Sequence, residues 1–179
     1  ELYSIREDCA KDLPGCLKKV AGMGYEGVEF AGFHNYKAIE LKKMLDDNGL
    51  KMAGSHTPFP DVQPDKLEAT VEFNKVLGNK YLIVPGLPKE KIKTADGWKN
   101  MADFFNGVAD QLKPHNMLTG YHNHYIEFQP LDGKIPWDIF FGGTKKEVVM
   151  QVDTGNCMHG KGDPMEYLER YPGRAITVH

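Results

Sequence analysis

The 179 residues are 41% hydrophobic and 26% charged, which supplies one sizeable core and excludes a disordered or fibrous chain. A formal net charge of −3 offers no basic face for nucleic acid, and no apolar run approaches the roughly 20 residues of a membrane helix. Cys9, Cys16 and Cys157 are odd in number and lack CxxC spacing, which argues against a disulfide framework or zinc knuckle and fits a reducing, cytoplasmic setting, with a periplasmic one left open.

Short β-rich runs alternate with helical patterns from end to end without a linker, so residues 1–179 read as one α/β domain. Leu2-Tyr3-Ser4 is the first expected strand. Pro14 suits the first turn of a helix that carries Leu17, Val20 and Ala21 and stops at Gly22-Met23-Gly24. Gly27 to Phe30 is the second strand. Ile39, Leu41, Met44 and Leu45 mark a helix stopped by Asn48-Gly49, and Leu50 to Gly54 is the third strand, leading into Ser55-His56. Leu67, Val71, Val76 and Leu77 predict a helix closed by Gly78-Asn79, before a fourth strand at Tyr81 to Val84. Trp98, Met101, Phe105, Val108 and Leu112 recur at helical spacing, and Pro114 ends that helix. A fifth strand runs into Tyr121-His122, a sixth spans Val148 to Val152, and a seventh Ala175 to Val178.

Three potential metal ligands punctuate the second half. Glu127, Asp153 and His179 follow one another at intervals of 26 residues, about the length of a strand, a returning helix and two loops. Such a period puts two carboxylates and an imidazole at the same point of successive βα units. Polar residues also end the earlier strands, at Glu29 and His56. A doubly wound sheet would usually carry a glycine-rich phosphate loop after an early strand, and none is present, so a TIM (β/α)8 barrel is the better reading. Seven strands are legible and the eighth is missing. The barrel is therefore expected to be incomplete within these residues, with a further strand supplied by a longer natural chain, and an open sheet edge leaves homo-oligomerisation open.

Leu2-Tyr3-Ser4-Ile5-Arg6, Gly24 to Phe30, Tyr121-His122-Asn123-His124 with Glu127, and Asp153-Thr154-Gly155-Asn156 together resemble the xylose-isomerase-like TIM-barrel superfamily. The likeness is to its sugar phosphate isomerase/epimerase branch, whose fold is shared with class II AP endonucleases. The resemblance implies a divalent metal, Mn, Mg, Zn or Co, held at the barrel mouth by Glu, Asp, His and a second Glu. Carried onto this chain, the ligands are Asp153, His179 and, on the fifth strand, Glu127 or His122. Glu127 is favoured because hard divalent ions prefer oxygen donors. The eighth-strand glutamate has no counterpart here. The resemblance also makes Glu29 and His56 substrate-facing groups on the early strands, and Arg6, His122 and Asn156 substrate contacts.

Duller explanations stand beside each. Asp153 before Thr-Gly-Asn can be a turn former. His122 and His124 share a direction on a strand of period two and can form a polar core. Trp137 offers either a sugar-stacking face or packing between helix and barrel. Asp132-Gly133 makes a turn that can shape a lid. The expected activity is metal-dependent isomerisation or epimerisation of a small carbohydrate through an enediolate, with Glu127 or His124 as base and Glu29 or His56 as acid or orienting group. The rivals are a lyase or dehydratase of keto-sugars, keto-inositols or keto-glycosides, an AP endonuclease, and a sugar-binding module without chemistry.

Overall fold

Pro14 shows how local chemistry shapes the first helix of the computed structural model, which describes residues 1–179. Helix α1 (Arg6–Gly22) is broken at Asp12, whose φ and ψ of −152° and 76° leave the helical region. The Asp12 Oδ1 then accepts the Gly15 N–H at 2.9 Å, so Asp12 caps a second helical segment with Pro14 in its first turn. Leu2–Ile5 is a 3-10 turn rather than the expected first strand. The reason is economical: Leu2 reaches the core beside Val28 and Phe30 from a turn, without strand pairing.

Two compact units divide the chain, Glu1–Leu82 and Ile83–His179. In the first, strands β1 (Gly27–Ala31) and β2 (Lys51–His56) pair in parallel, with a register irregularity between Val28 and Glu29. Helices α2 (Ala38–Asp47) and α3 (Leu67–Leu77) supply Leu41, Leu45 and Leu77 to a core that also holds Leu13 and Leu17. Ile39 and Val76, expected on the apolar stripes, fall off them and are exposed. Gly78 ends α3 in the left-handed region at φ 73°, which glycine adopts without steric cost.

Strand β3 (Tyr81–Val84) contains the division between the units. In the second, helix α4 (Ala95–Leu112) buries all five predicted stripe residues, and its N-cap Thr94 accepts the Gly97 N–H at 3.1 Å. Strands β4 (Leu118–His122) and β5 (Val149–Gln151) pair in parallel. A Cβ at Gly120 would lie 2.6 Å from the Val149 carbonyl oxygen, so this close strand approach requires glycine. Helix α5 (Pro136–Gly143) adds Trp137, Phe140 and Phe141 to an aromatic core with Trp98, Phe105 and Tyr121; Phe105 and Phe140 sit 5.0 Å apart, edge to face. Short helices α6 (Thr154–His159) and α7 (Pro164–Arg170) follow β5.

The strands pair in chain order, β1-β2-β3-β4-β5, the order of a (β/α) barrel. Five strands form, against seven expected. The seventh is reduced to one parallel bridge, Val152 to Val178; just before it the Arg174 carbonyl accepts the Met150 N–H at 3.0 Å, while the Arg174 guanidinium is buried against the Phe141, Lys145 and Val148 carbonyls. Asp132 and Gly133, at φ 51° and 74°, form a tight turn between bridged Leu131 and Lys134, as a two-residue hairpin requires.

Candidate active site

In the second unit, the polar residues that follow β4 and β5 are laced together through Asn123. This wholly buried side chain accepts the Asp153 N–H at 2.8 Å and donates to the Asp153 carbonyl at 3.0 Å. His179 is tied to the same segment: its N–H donates to Val152 O at 2.8 Å, and its carbonyl accepts the Thr154 N–H at 2.9 Å. The Asn123 side chain thereby ties the end of β4 to the Asp153 segment, and backbone bonds tie that segment to His179. The His122 and His179 rings lie 5.2 Å apart, and their ligand nitrogens are within 4.8 Å of one another. One ion with bonds of about 2.0–2.3 Å can draw such a pair together with small side-chain rotations. Imidazole donors suit Zn, Mn or Co better than Mg or Ca.

Asp153 does what its turn-former reading predicts: it is the N-cap of α6, and its Oδ1 accepts the Asn156 N–H at 2.7 Å. Asn156 donates its amide to the Asn123 carbonyl at 3.3 Å, so it also fastens the loop.

Glu127 occupies a different setting. It is wholly buried in a 3-10 turn (Ile126–Phe128), where Oε1 accepts the Tyr121 hydroxyl at 2.5 Å and Oε2 accepts the His124 N–H at 2.8 Å. Burial raises its carboxyl above the ordinary value of 4.5, against the lowering effect of those bonds, and burial likewise pushes the Tyr121 phenol up. A folded-state value above the unfolded one contributes stability that is full below pH 4.5 and fades as pH rises through the raised value. Glu127→Gln keeps an amide oxygen for the His124 N–H but makes the Tyr121 hydroxyl accept from the amide N–H instead of donating, and is expected to cost about 0.5–1.5 kcal/mol. Urea melts should show the largest loss at acidic pH and a shallower pH dependence in the variant.

β4 ends at His122, so the expected alternation through His124 does not hold. His122 is buried and His124 exposed, although their rings still meet edge to face at 5.3 Å. Trp137 is wholly buried against Phe141, with ring centroids 4.4 Å apart, and presents no face to a sugar. Cys157 is buried with its thiol pushed up to about 11, mainly by desolvation, which makes it unreactive.

In the first unit, Glu29 in the middle of β1 and His56 at the end of β2 come together. His56 Nε2 stands 3.3 Å from Glu29 Oε1, and His56 Nδ1 stands 3.8 Å from the Glu1 carboxylate. Glu29 is buried in a place that Gly54 opens for it: a Cβ there would lie 3.3 Å from Glu29 Oε2. Arg6 is exposed and stacks over the Tyr3 ring at 4.4 Å while donating to the Tyr3 carbonyl. Sequence reasoning missed Asn123 and Gln151. The available signal was a lone amide in each of two otherwise apolar or chemically assigned runs, since buried polar groups require partners.

Residues 17–179 match the family model described as the xylose isomerase-like TIM barrel. The chain belongs to that family. A sugar phosphate isomerase/epimerase from Parabacteroides distasonis superposes on this xylose isomerase-like chain with a TM-score of 0.87 at 29% identity, covering 100% of this chain and 76% of the other. An inosose dehydratase from Serratia proteamaculans is 25% identical over 92% of this chain and 61% of its own length. An AP endonuclease, family 2, from Brucella melitensis shares the fold with a TM-score of 0.71 at 16% identity, over 92% of this chain and 72% of that one. The chain thus spans about three fifths of the curated dehydratase. No helix is long and apolar enough to cross a membrane.

Proposed function

We propose that this chain carries the metal and proton-transfer groups of an enzyme that isomerises or epimerises a sugar or related polyhydroxy ketone. The observation that carries the reading is the approach of the His122 and His179 nitrogens to within 4.8 Å, beside the segment that holds Asp153. His122 is assigned as the ligand after β4 in preference to Glu127, whose two oxygens already serve Tyr121 and His124. A divalent cation bound by His122, Asp153 and His179 would supply a Lewis acid that acidifies the C–H beside a carbonyl. Glu29, with His56 beside it, moves the proton, and His124 is the second candidate for proton transfer. TIM-barrel active sites are built from residues at or beyond the C-terminal ends of several strands, a general rule that supports this reading.

A second reading, β-elimination from a keto-inositol or keto-sugar, is supported by the likeness to inosose dehydratases. The same metal and the same proton abstraction serve both; the fate of the β-hydroxyl differs. The test is incubation with Mn²⁺ in D₂O with ketoses and with a keto-inositol, followed by NMR. Deuterium at the carbon beside the carbonyl, with epimer formed, is expected for isomerisation. Loss of water to an enone selects the dehydratase, and no exchange on any substrate in the presence of bound metal overturns both readings.

A further inference from the structure

Gln151 is the one polar side chain of β5, and it is wholly buried. In the β4–β5 register it faces His122 directly, which puts both side chains on the same side of the sheet. Its Oε1 lies 3.1 Å from His122 Nδ1, and its Nε2 donates to Thr177 Oγ1 at 2.9 Å. Thr177 stands next to Val178, which bridges to Val152, the neighbour of Gln151, so the same short parallel contact fixes all three groups. With the amide turned so that its nitrogen donates to Thr177, the amide oxygen is what meets the imidazole. An oxygen can only accept, so in this orientation Nδ1 carries the proton and, in the neutral ring, Nε2 the lone pair.

We infer that Gln151, held by Thr177, is a positioning residue that locks His122 in its Nδ1–H tautomer and thereby presents Nε2 as the ligand atom for a divalent ion. The metal half of this statement rests on the reading of His122 as a ligand; the tautomer half does not. Neutral groups often serve this orienting purpose where a carboxylate would add a second buried charge. Gln151→Glu keeps an acceptor facing Nδ1, and Gln151→Met keeps the approximate volume without one.

The tautomer is read directly by long-range ¹H–¹⁵N correlation on the ¹⁵N-labelled protein, at a pH where the ring is neutral, with His122 assigned by the signals lost in His122→Gln. The expected result is a protonated Nδ1 and an unprotonated Nε2 in the parent protein and in Gln151→Glu, and loss of that preference in Gln151→Met. Zn²⁺ should then shift the Nε2 signal, with affinity about 10- to 100-fold weaker in Gln151→Met. A parent protein with the proton on Nε2, as a flipped amide would give, overturns the inference, and so does an unchanged tautomer in Gln151→Met. The Nδ1–H tautomer with no Zn²⁺ effect at His122 supports the lock and instead overturns the assignment of His122 as a ligand.

Discussion

Asp153→Asn is expected to weaken divalent-metal binding by at least about 100-fold, because removing a ligand should cost no less than the 10- to 100-fold typical of outer partners. The substitution separates the two jobs of this side chain. As the N-cap of α6, Asp153 accepts the Asn156 N–H through Oδ1, and asparagine caps helices as well as aspartate does. Its backbone bonds to Asn123 are untouched by the change. Folding should therefore survive, with a thermal midpoint near that of the parent, while the negative charge that offsets the cation is gone. Asp153→Ala would lose both functions and add a cap penalty of about 0.5–2 kcal/mol. Calorimetric titration with Mn²⁺ beside a thermal melt separates the effects. Metal affinity unchanged in a folded Asp153→Asn would leave the residue as a helix cap and remove it from the ion.

The equal spacing of Asp153 and His179 has a physical counterpart: each follows one partner of the parallel Val152–Val178 bridge, so the length of chain between the two bridged segments sets the interval. Glu127 shares the spacing but not the setting. It lies five residues past the end of β4, where the chain has already turned into a 3-10 segment that folds its carboxylate back under Tyr121 and the His124 N–H. A periodic count cannot distinguish a strand end from a buried turn that happens to share its interval. Helix α4 was fully legible because five large apolar residues repeat at one spacing and nothing competes with burial. The two outermost strands were not. Leu2–Ser4 and Ala175–Val178 are short runs whose apolar residues can be buried or bridged without a ladder, and strand pairing depends on partners that local pattern does not encode. Gln151 was legible only as an oddity, a polar residue in a run of buried apolar ones. Its partner His122 is 29 residues away and meets it only through the β4–β5 register.

Glu29→Gln is expected to lower turnover by about 10²- to 10⁴-fold, the range for removing a positioned general acid or base. The fold should tolerate the change. Glutamine has nearly the same shape, Gly54 already leaves room beside the side chain, and an amide oxygen can still accept from His56 Nε2, now 3.3 Å from Glu29 Oε1. What the amide cannot do is take a proton. Metal affinity should be unchanged, because the proposed ligands His122, Asp153 and His179 lie after later strands, and a titration with Mn²⁺ provides that control. His56→Gln should lower turnover less if His56 only orients the Glu29 carboxylate, and as much if the imidazole itself carries the proton; comparing the two variants on one substrate assigns the transfer. The informative failure is specific. If Glu29→Gln loses metal while Asp153→Asn keeps it, the ion belongs with the early strands and the roles of the two carboxylates are exchanged.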